Sequence, residues 1–411
     1  MSIDEGMHAQ PASGARYGRL TVAVLSVLAL LFPLVSLLAN KGVVVLLLLA
    51  ALASCIAVKR ESGRWPRPDR TFAGLLGLLL AWQLVASIWA IAPLGAAELA
   101  LRLAVLYVAG LMLLAVAAGL DRADWDAVLR AAGLGFALAV VVMALEFFDG
   151  RFLYAAIHGS AAKYRSLINL NGGVTCVAIM ALPVARWLRA RGRTRSGIVV
   201  PIFLFAFLVP FWSESAEMGL ACGILATLIC LWRPRWSKAL VAAVVLGGLI
   251  GSPFVAKALY ETRLAKDPSV HMSVYDRINM WNFAVDRFLE RPVGGWGFDS
   301  SRDMPNDDRP LWIEGQKRML NLHPHNAWLQ VALELGIVGM VIVGALLFAL
   351  VGRLPVASAP ESAAFAAGSM ITVLAIASSG YGIWQNWWVA SLFILAFLVR
   401  GASRSAREAP I

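Results

Sequence analysis

Apolar residues fall in long, nearly unbroken runs separated by short polar stretches. The pattern predicts twelve helices at about 20–39, 42–58, 71–91, 99–119, 126–147, 167–188, 198–213, 216–232, 239–257, 326–351, 362–380 and 383–400. Runs near 20 residues match the hydrocarbon thickness of a bilayer, and the shorter ones call for tilt, local thinning or snorkelling ends. One polar stretch is long. Residues 258–325 hold a helix-like run VYDRINMWNFAVDRFLE (274–290), a turn PVGGWGF (292–298) and several tryptophans, so this segment is expected to be ordered and packed over the bundle. The chain then divides into an N-terminal tail (1–19), nine helices (20–257), a loop domain (258–325), three helices (326–400) and a C-terminal tail (401–411).

Composition agrees with this pattern. With 60% hydrophobic and 15% charged residues and a mean hydropathy of +0.73, a polar shell sufficient for a water-soluble core is excluded. The fold class expected is an all-α polytopic membrane protein. The formal net charge of +11 does not point to nucleic acid, because Lys and Arg sit in short clusters between apolar spans rather than along one face. With the N-terminus in the cytoplasm, the inner loops gather Lys59, Arg60, Arg64, Arg67 and Arg70, then Arg189, Arg191, Arg193 and Arg195, then Arg233, Arg235 and Lys238. The short outer loops at 92–98 and 213–216 carry none, and 40–41 carries only Lys41. This orientation puts the long loop and a smaller one at 148–166 outside, together with His158, His271, His323 and His325. The first apolar run lacks a small-residue cleavage site and reads as a signal anchor. Cys55, Cys176, Cys222 and Cys230 lie within apolar runs without metal-ligand or disulfide spacing.

The densest candidate chemistry stands where the long loop meets the next apolar run, HPHNAWLQVALELGIVG (323–339). His323 is placed to cap that helix with Pro324 in its first position, and Asn326, Gln330 and Glu334 then share one face. Such a stripe faces a wet cavity as substrate contacts, or else joins helices by hydrogen bonds, and for Gln330 the two readings weigh equally. His325 is the favoured general base, with His323 orienting it or sharing substrate contact, against a structural reading in which both only cap or brace the chain. Arg277 in YDRINMW suits a phosphate, or else an ion pair with Asp276 or another neighbouring acid. Arg165 in KYRSLINLNGG, with Asn169 and Asn171 behind it, suits a second phosphate-facing patch, and Lys163 suits interfacial snorkelling. Arg102 either faces the cavity and holds a leaving diphosphate or pairs with Glu98 four residues earlier. Tyr275, Trp281, Trp296 and Trp312 suit sugar stacking or interfacial anchoring. The Gly219/Gly223 spacing is accounted for by helix packing. Walker, G-x-S-x-G and HExxH sequences are absent, which removes support for ATP-driven work, serine hydrolysis and zinc catalysis.

The segments RINMWNFAVDRFLERPVGGWGF (277–298), HPHNAWLQVALELGIVG (323–339) and RSLINLNGG (165–173) together resemble the O-antigen ligase and polymerase superfamily of bacterial envelope proteins. The resemblance departs at WSESAEMGL (212–220), where family members often carry a Ser-Arg-Gly-like segment and this chain has no arginine. One dominant outer loop before the HPHN helix is similar to the ligases that mature lipopolysaccharide. It ranks a ligase ahead of a polymerase that joins lipid-linked repeat units.

What the resemblance implies is a lipid-dependent glycosyltransferase-like (GT-C-type) helical architecture in the bacterial inner membrane. It also implies transfer of an undecaprenyl-diphosphate-linked glycan to lipid A-core at the periplasmic face, without nucleotide or metal cofactor. The expected step is a single inverting displacement, with His325 taking the acceptor proton and Arg277, Arg165 and Arg102 meeting the diphosphate. Asn326, Gln330, Asn169, Asn171 and Trp281 are the expected supporting contacts. A flippase or transporter is the rival from another class, but the single asymmetric loop gives no sign of repeated halves.

Overall fold

The computed structural model describes residues 18–148, 152–159, 167–267, 269, 271–307, 317–320 and 322–405. All regular structure among the described residues is helical. The elements are α1 (Arg19–Leu38), α2 (Gly42–Ser62), α3 (Arg70–Ser87), α4 (Pro93–Ala118), α5 (Arg122–Phe148), α6 (Phe152–His158), α7 (Asn171–Ala190), α8 (Thr194–Leu208), α9 (Glu214–Trp232), α10 (Trp236–Leu246), α11 (Ser252–Tyr260), α12 (Met272–Glu290), α13 (Ala327–Gly352), α14 (Pro360–Ala377) and α15 (Asn386–Arg404). Among the described residues twelve spans are long and apolar enough to cross a membrane, so the chain is a multi-pass membrane protein. One span is broken: a π-turn at Gly247–Gly251 separates α10 from α11, and the Trp328 ring lies against Gly248 where a Cβ would stand.

Because successive spans run in opposite directions, the segments after α1, α3, α5, α8, α11 and α14 gather at one end of the bundle, called here the histidine end. Contacts across that end bear this out, from the Ile91 N–H donating to Ser300 Oγ at 3.1 Å to the link between His325 and Gly380. The centre of the bundle is α7, whose hydrophobic window is 89% buried against 28% for α3. It packs against α1, α8, α14 and α15. Helices α9 and α14 meet through Gly219, Gly223 and Gly368, where any Cβ would run into Ile376, Thr372, Thr227 or backbone, so close approach replaces side-chain bulk. Faces turned away from neighbours carry Leu94, Phe148, Ile202 and Phe254, which suits lipid rather than water.

The predicted loop helix is present as α12, starting two residues earlier than its helix-like run. Its inner face, Met280, Phe283, Ala284 and Val285, forms a small separate core with Met304, Met319, Leu320 and the α13 residues Leu329 and Leu333. The loop domain therefore rests on the first turns of α13.

Helix α13 is itself interrupted. Gly336 takes φ 63° and ψ −165°, a conformation open almost only to glycine. The break frees backbone groups that the PVGGWGF turn takes up. Trp296 N–H donates to the Leu333 carbonyl (2.8 Å) and Gly297 N–H to that of Glu334 (3.0 Å), while Ile337 N–H donates to the Pro292 carbonyl (2.8 Å). Trp82 Nε1 donates to the Leu335 carbonyl at 3.0 Å, so the opened helix leaves few orphans. A Cβ on Gly336 would strike the Val293 carbonyl. Gly336→Ala is expected to cost roughly 1–3 kcal/mol from backbone strain alone. A lower thermal midpoint with faster proteolysis between residues 291 and 307 would register it, and an unchanged midpoint would contradict the docking.

Candidate active site at the histidine end

The site begins with a cap. Helix α13 starts at Ala327, and Asn326 Oδ1 accepts from Trp328 N–H (3.1 Å) and Leu329 N–H (3.2 Å). Neither His323 nor Pro324 has the position expected from the sequence. Asparagine satisfies two of the helix's free N–H groups from a single oxygen, so the helix begins after it and the histidines are left in a preceding turn. Asn326 is 6% exposed and caps the helix through its Oδ1.

That turn is tight and its conformation is unusual. His325 has φ 52°, a left-handed value that costs free energy in a non-glycine residue and persists only where surrounding contacts hold it. The holding contacts are visible. His325 N–H donates to His323 Nδ1 at 3.2 Å, the two rings lie 4.3 Å apart, and the Pro324 carbonyl accepts from Trp281 Nε1 at 2.8 Å. Trp281 thus docks α12 onto the histidine turn through its indole N–H.

The His325 ring has one partner, and it determines the ring's chemistry. Nδ1 lies 2.6 Å from the carbonyl oxygen of Gly380 in the 378–385 connection. A carbonyl only accepts, so Nδ1 carries the proton and Nε2 keeps its lone pair. Among the described residues Nε2 has no hydrogen-bond partner. Burial pushes the His325 pKa below the usual histidine value, opposed by the Gly380 bond and the Asp276 charge and assisted by the positive charge of Arg277. The ring is therefore neutral near pH 7, with Nε2 as its unprotonated nitrogen.

His323 differs. Its exposure is 7%, and burial, with smaller effects of His325 and Arg302, lowers its pKa to about 3. Both ring nitrogens lie 3.2 Å from backbone N–H groups, those of His325 and Gly382, and a neutral imidazole accepts only one of them fully. It braces the histidine turn against the 378–385 connection. Because the folded pKa lies below the unfolded value of about 6.5, this group's contribution is complete above pH 6.5. It is lost as pH falls toward 3, at about 1.4 kcal/mol per pH unit. Unfolding midpoints that fall between pH 7 and 4.5 in the wild type, and fall less in His323→Gln, are the expected result.

The Asn326–Gln330–Glu334 stripe is buried, and the polar ends of Gln330 and Glu334 are hydrogen-bonded within the protein. Gln330 Nε2 donates to Glu334 Oε1 (3.0 Å) and Gln330 Oε1 accepts from Ile383 N–H (3.0 Å). Glu334 Oε2 accepts from Trp384 Nε1 (2.7 Å) and Asp299 N–H (3.1 Å). Of the two readings of Gln330, joining elements is the one the contacts favour. The stripe ties α13, the loop domain and the 378–385 connection into one unit under His325.

Arg277 stands on α12 close enough for its charge to act on His325, and it pairs with Glu214 at the start of α9 at 3.3 Å. The partner is thus an acid from another element, not Asp276. Beside it lies a polar cluster. Asn171 Oδ1 accepts from Ser213 Oγ and, at 3.3 Å, from the Tyr381 hydroxyl, which burial keeps protonated. Ser215 Oγ donates to the Ser379 carbonyl at 3.2 Å. Asn171 therefore belongs to this neighbourhood, whereas Asn169 is exposed in a short 3-10 turn, Leu167–Leu170. Arg102 is not brought in. It pairs with Glu98 on an exposed face of α4, with side-chain exposures of 59% and 64%, which corrects the cavity-facing reading. Arg165, Lys163 and Trp312 lie outside the described residues.

Sequence reasoning missed the 378–385 connection, because spans placed at 362–380 and 383–400 leave almost no room for it. SSGYGIWQ, with two glycines and no aliphatic run, was the available signal. It also missed the pairing of Glu214, which no local spacing announces. Among the described residues no three His, Cys, Asp or Glu side chains converge as a metal-binding group.

Residues 201–344, which include α9, α12, the histidine turn and the broken part of α13, match the family model described as O-antigen ligase. Two relatives bear the name "Putative polysaccharide ligase". The one from Rickettsia conorii is 27% identical over 278 residues, covering 65% of this chain and 66% of its own length. The one from Rickettsia felis is 26% identical over 279 residues, with the same two coverages. The chain thus spans just under two thirds of the length of these relatives.

Proposed function

We propose that this chain, whose residues 201–344 match the O-antigen ligase family model, transfers an undecaprenyl-diphosphate-linked O-antigen glycan to a sugar hydroxyl of lipid A-core. The protein resides in the bacterial inner membrane with both termini in the cytoplasm and the histidine end in the periplasm, where the donor's tail stays in lipid while its sugar meets water-borne groups. The acceptor oxygen forms a bond to the anomeric carbon, the bond from that carbon to the diphosphate oxygen breaks, and the acceptor proton passes to His325 Nε2. The configuration at the anomeric carbon inverts. Undecaprenyl diphosphate departs with its charge met by Arg277, and Arg165 is assigned to the same anion.

The observation that carries this reading is the tautomer of His325. Its Nδ1–H is fixed on the Gly380 carbonyl at 2.6 Å, which leaves Nε2 as a basic nitrogen within electrostatic reach of Arg277. A base next to a cation is what a displacement expelling an anion requires. The positive-inside distribution of Lys and Arg supports the orientation.

The test is transfer by the purified protein from a defined lipid-linked glycan to rough lipopolysaccharide, with and without chelator. Label appearing on lipid A-core, unaffected by chelator, is the expected result. A lengthened lipid-linked glycan would identify a polymerase instead. Proton flux in liposomes without glycosyl transfer would identify a transporter.

A further inference from the structure

The Arg277 guanidinium does not stand open. Glu214, the first residue of α9, brings its Oε2 to Arg277 at 3.3 Å and accepts there from Ser273 Oγ at 3.5 Å, while its Oε1 lies 3.4 Å from His271 Nε2. Three donors from the start of α12 thus converge on a single carboxylate carried by another helix. All three contacts are long. Charge-assisted hydrogen bonds close to about 2.7–2.9 Å when well made, so this carboxylate is loosely held. It is 46% exposed, whereas Arg277 is 24% exposed, so the anion is the partner freer to leave. Exposed pairs of this kind contribute only about 0–1 kcal/mol. A diphosphate carries more charge and more acceptor oxygens than a carboxylate, and it has the stronger claim on the same donors.

The geometry points to Glu214 as an exchangeable anion that occupies the diphosphate subsite between turnovers. It yields to the donor's diphosphate and competes again with the departing undecaprenyl diphosphate after transfer. This role rests on the transfer reading above and deepens it. Glu214 touches none of the reacting atoms. It is a positioning residue that keeps Arg277 and His271 gathered in the empty site and assists product release. Its second consequence is selectivity, since a singly charged or neutral head group gains too little from Arg277 to displace it.

The test is equilibrium binding of undecaprenyl diphosphate to the full-length protein in detergent, with undecaprenol as the uncharged control. It compares wild type, Glu214→Gln, Arg277→Ala and the double variant. Glutamine keeps the size and hydrogen-bonding ends of Glu214 and removes its charge. The expected result is about fivefold tighter binding of the diphosphate in Glu214→Gln, no change for undecaprenol, and no tightening when Arg277 is also absent. In the transfer assay the donor KM and the inhibition constant of undecaprenyl diphosphate fall together in Glu214→Gln, while kcat does not rise.

A merely structural Glu214 would not tighten binding at all. Unchanged or weaker binding in Glu214→Gln, with Arg277→Ala still weakening it, overturns the exchange role and leaves the transfer reading standing. Tightening that persists without Arg277 overturns it as well. Loss of any effect from Arg277→Ala removes the anion subsite itself, and both readings fail together.

Discussion

Arg277→Ala is expected to lower kcat/KM for transfer by at least the factor seen for His325→Ala, roughly 10²–10³-fold or more. A displacement at an anomeric carbon builds negative charge on the leaving diphosphate, and a cation already fixed where that charge appears stabilises the transition state without reorganising. Arg277 is fixed on α12, which docks onto the histidine turn through Trp281 and onto the first turns of α13 through Met280, Phe283 and their neighbours. Lysine keeps the charge but loses the planar fork, so Arg277→Lys is expected to recover part of the loss. Steady-state rates with a defined donor decide the matter. An alanine variant within tenfold of wild type would remove Arg277 from the reaction.

The second large effect falls on the base. His325→Ala is expected to slow transfer by about 10²–10⁴-fold, the usual contribution of a positioned general base. The pH profile carries more information than the loss itself. Burial and Arg277 hold the His325 pKa below the ordinary histidine value. As the proposed base, His325 is then neutral and competent at pH 7 and above, and the rate is expected to decline in acid only after pH has fallen below about 6.5, the ordinary histidine value. In His325→Ala that acid limb should disappear along with the rate. An acid limb that survives the substitution, or near-full transfer by the variant, would place the base elsewhere.

Much of the fold was legible because lipid-spanning helices write themselves as apolar runs, and the twelve spans follow those runs to within a few residues. The interruption at Gly336 was not legible. ELGIVG reads as unbroken helix, and the break is stabilised only because residues 292–297, some forty positions earlier, supply donors and acceptors for the opened turn. At the site, His325 stood out as a titratable group at a helix mouth, but its tautomer depends on a carbonyl 55 residues away. Pro324 suggested that the helix starts at His323, and Asn326 outcompetes that start because its side chain satisfies two N–H groups. For Arg102 the nearby acid Glu98 was a local, readable partner. Arg277 had a readable charge but an unreadable partner, since Glu214 reaches it only through the packing of α9 beside the loop domain.

The most direct measurement is nitrogen NMR on ¹⁵N-histidine-labelled protein at pH 7, with the His325 signals identified by their loss in His325→Gln. The expected spectrum has a protonated Nδ1 and an unprotonated Nε2 for this ring. A proton on Nε2, or on both nitrogens, would leave no base facing the acceptor and would contradict the mechanism at its first step.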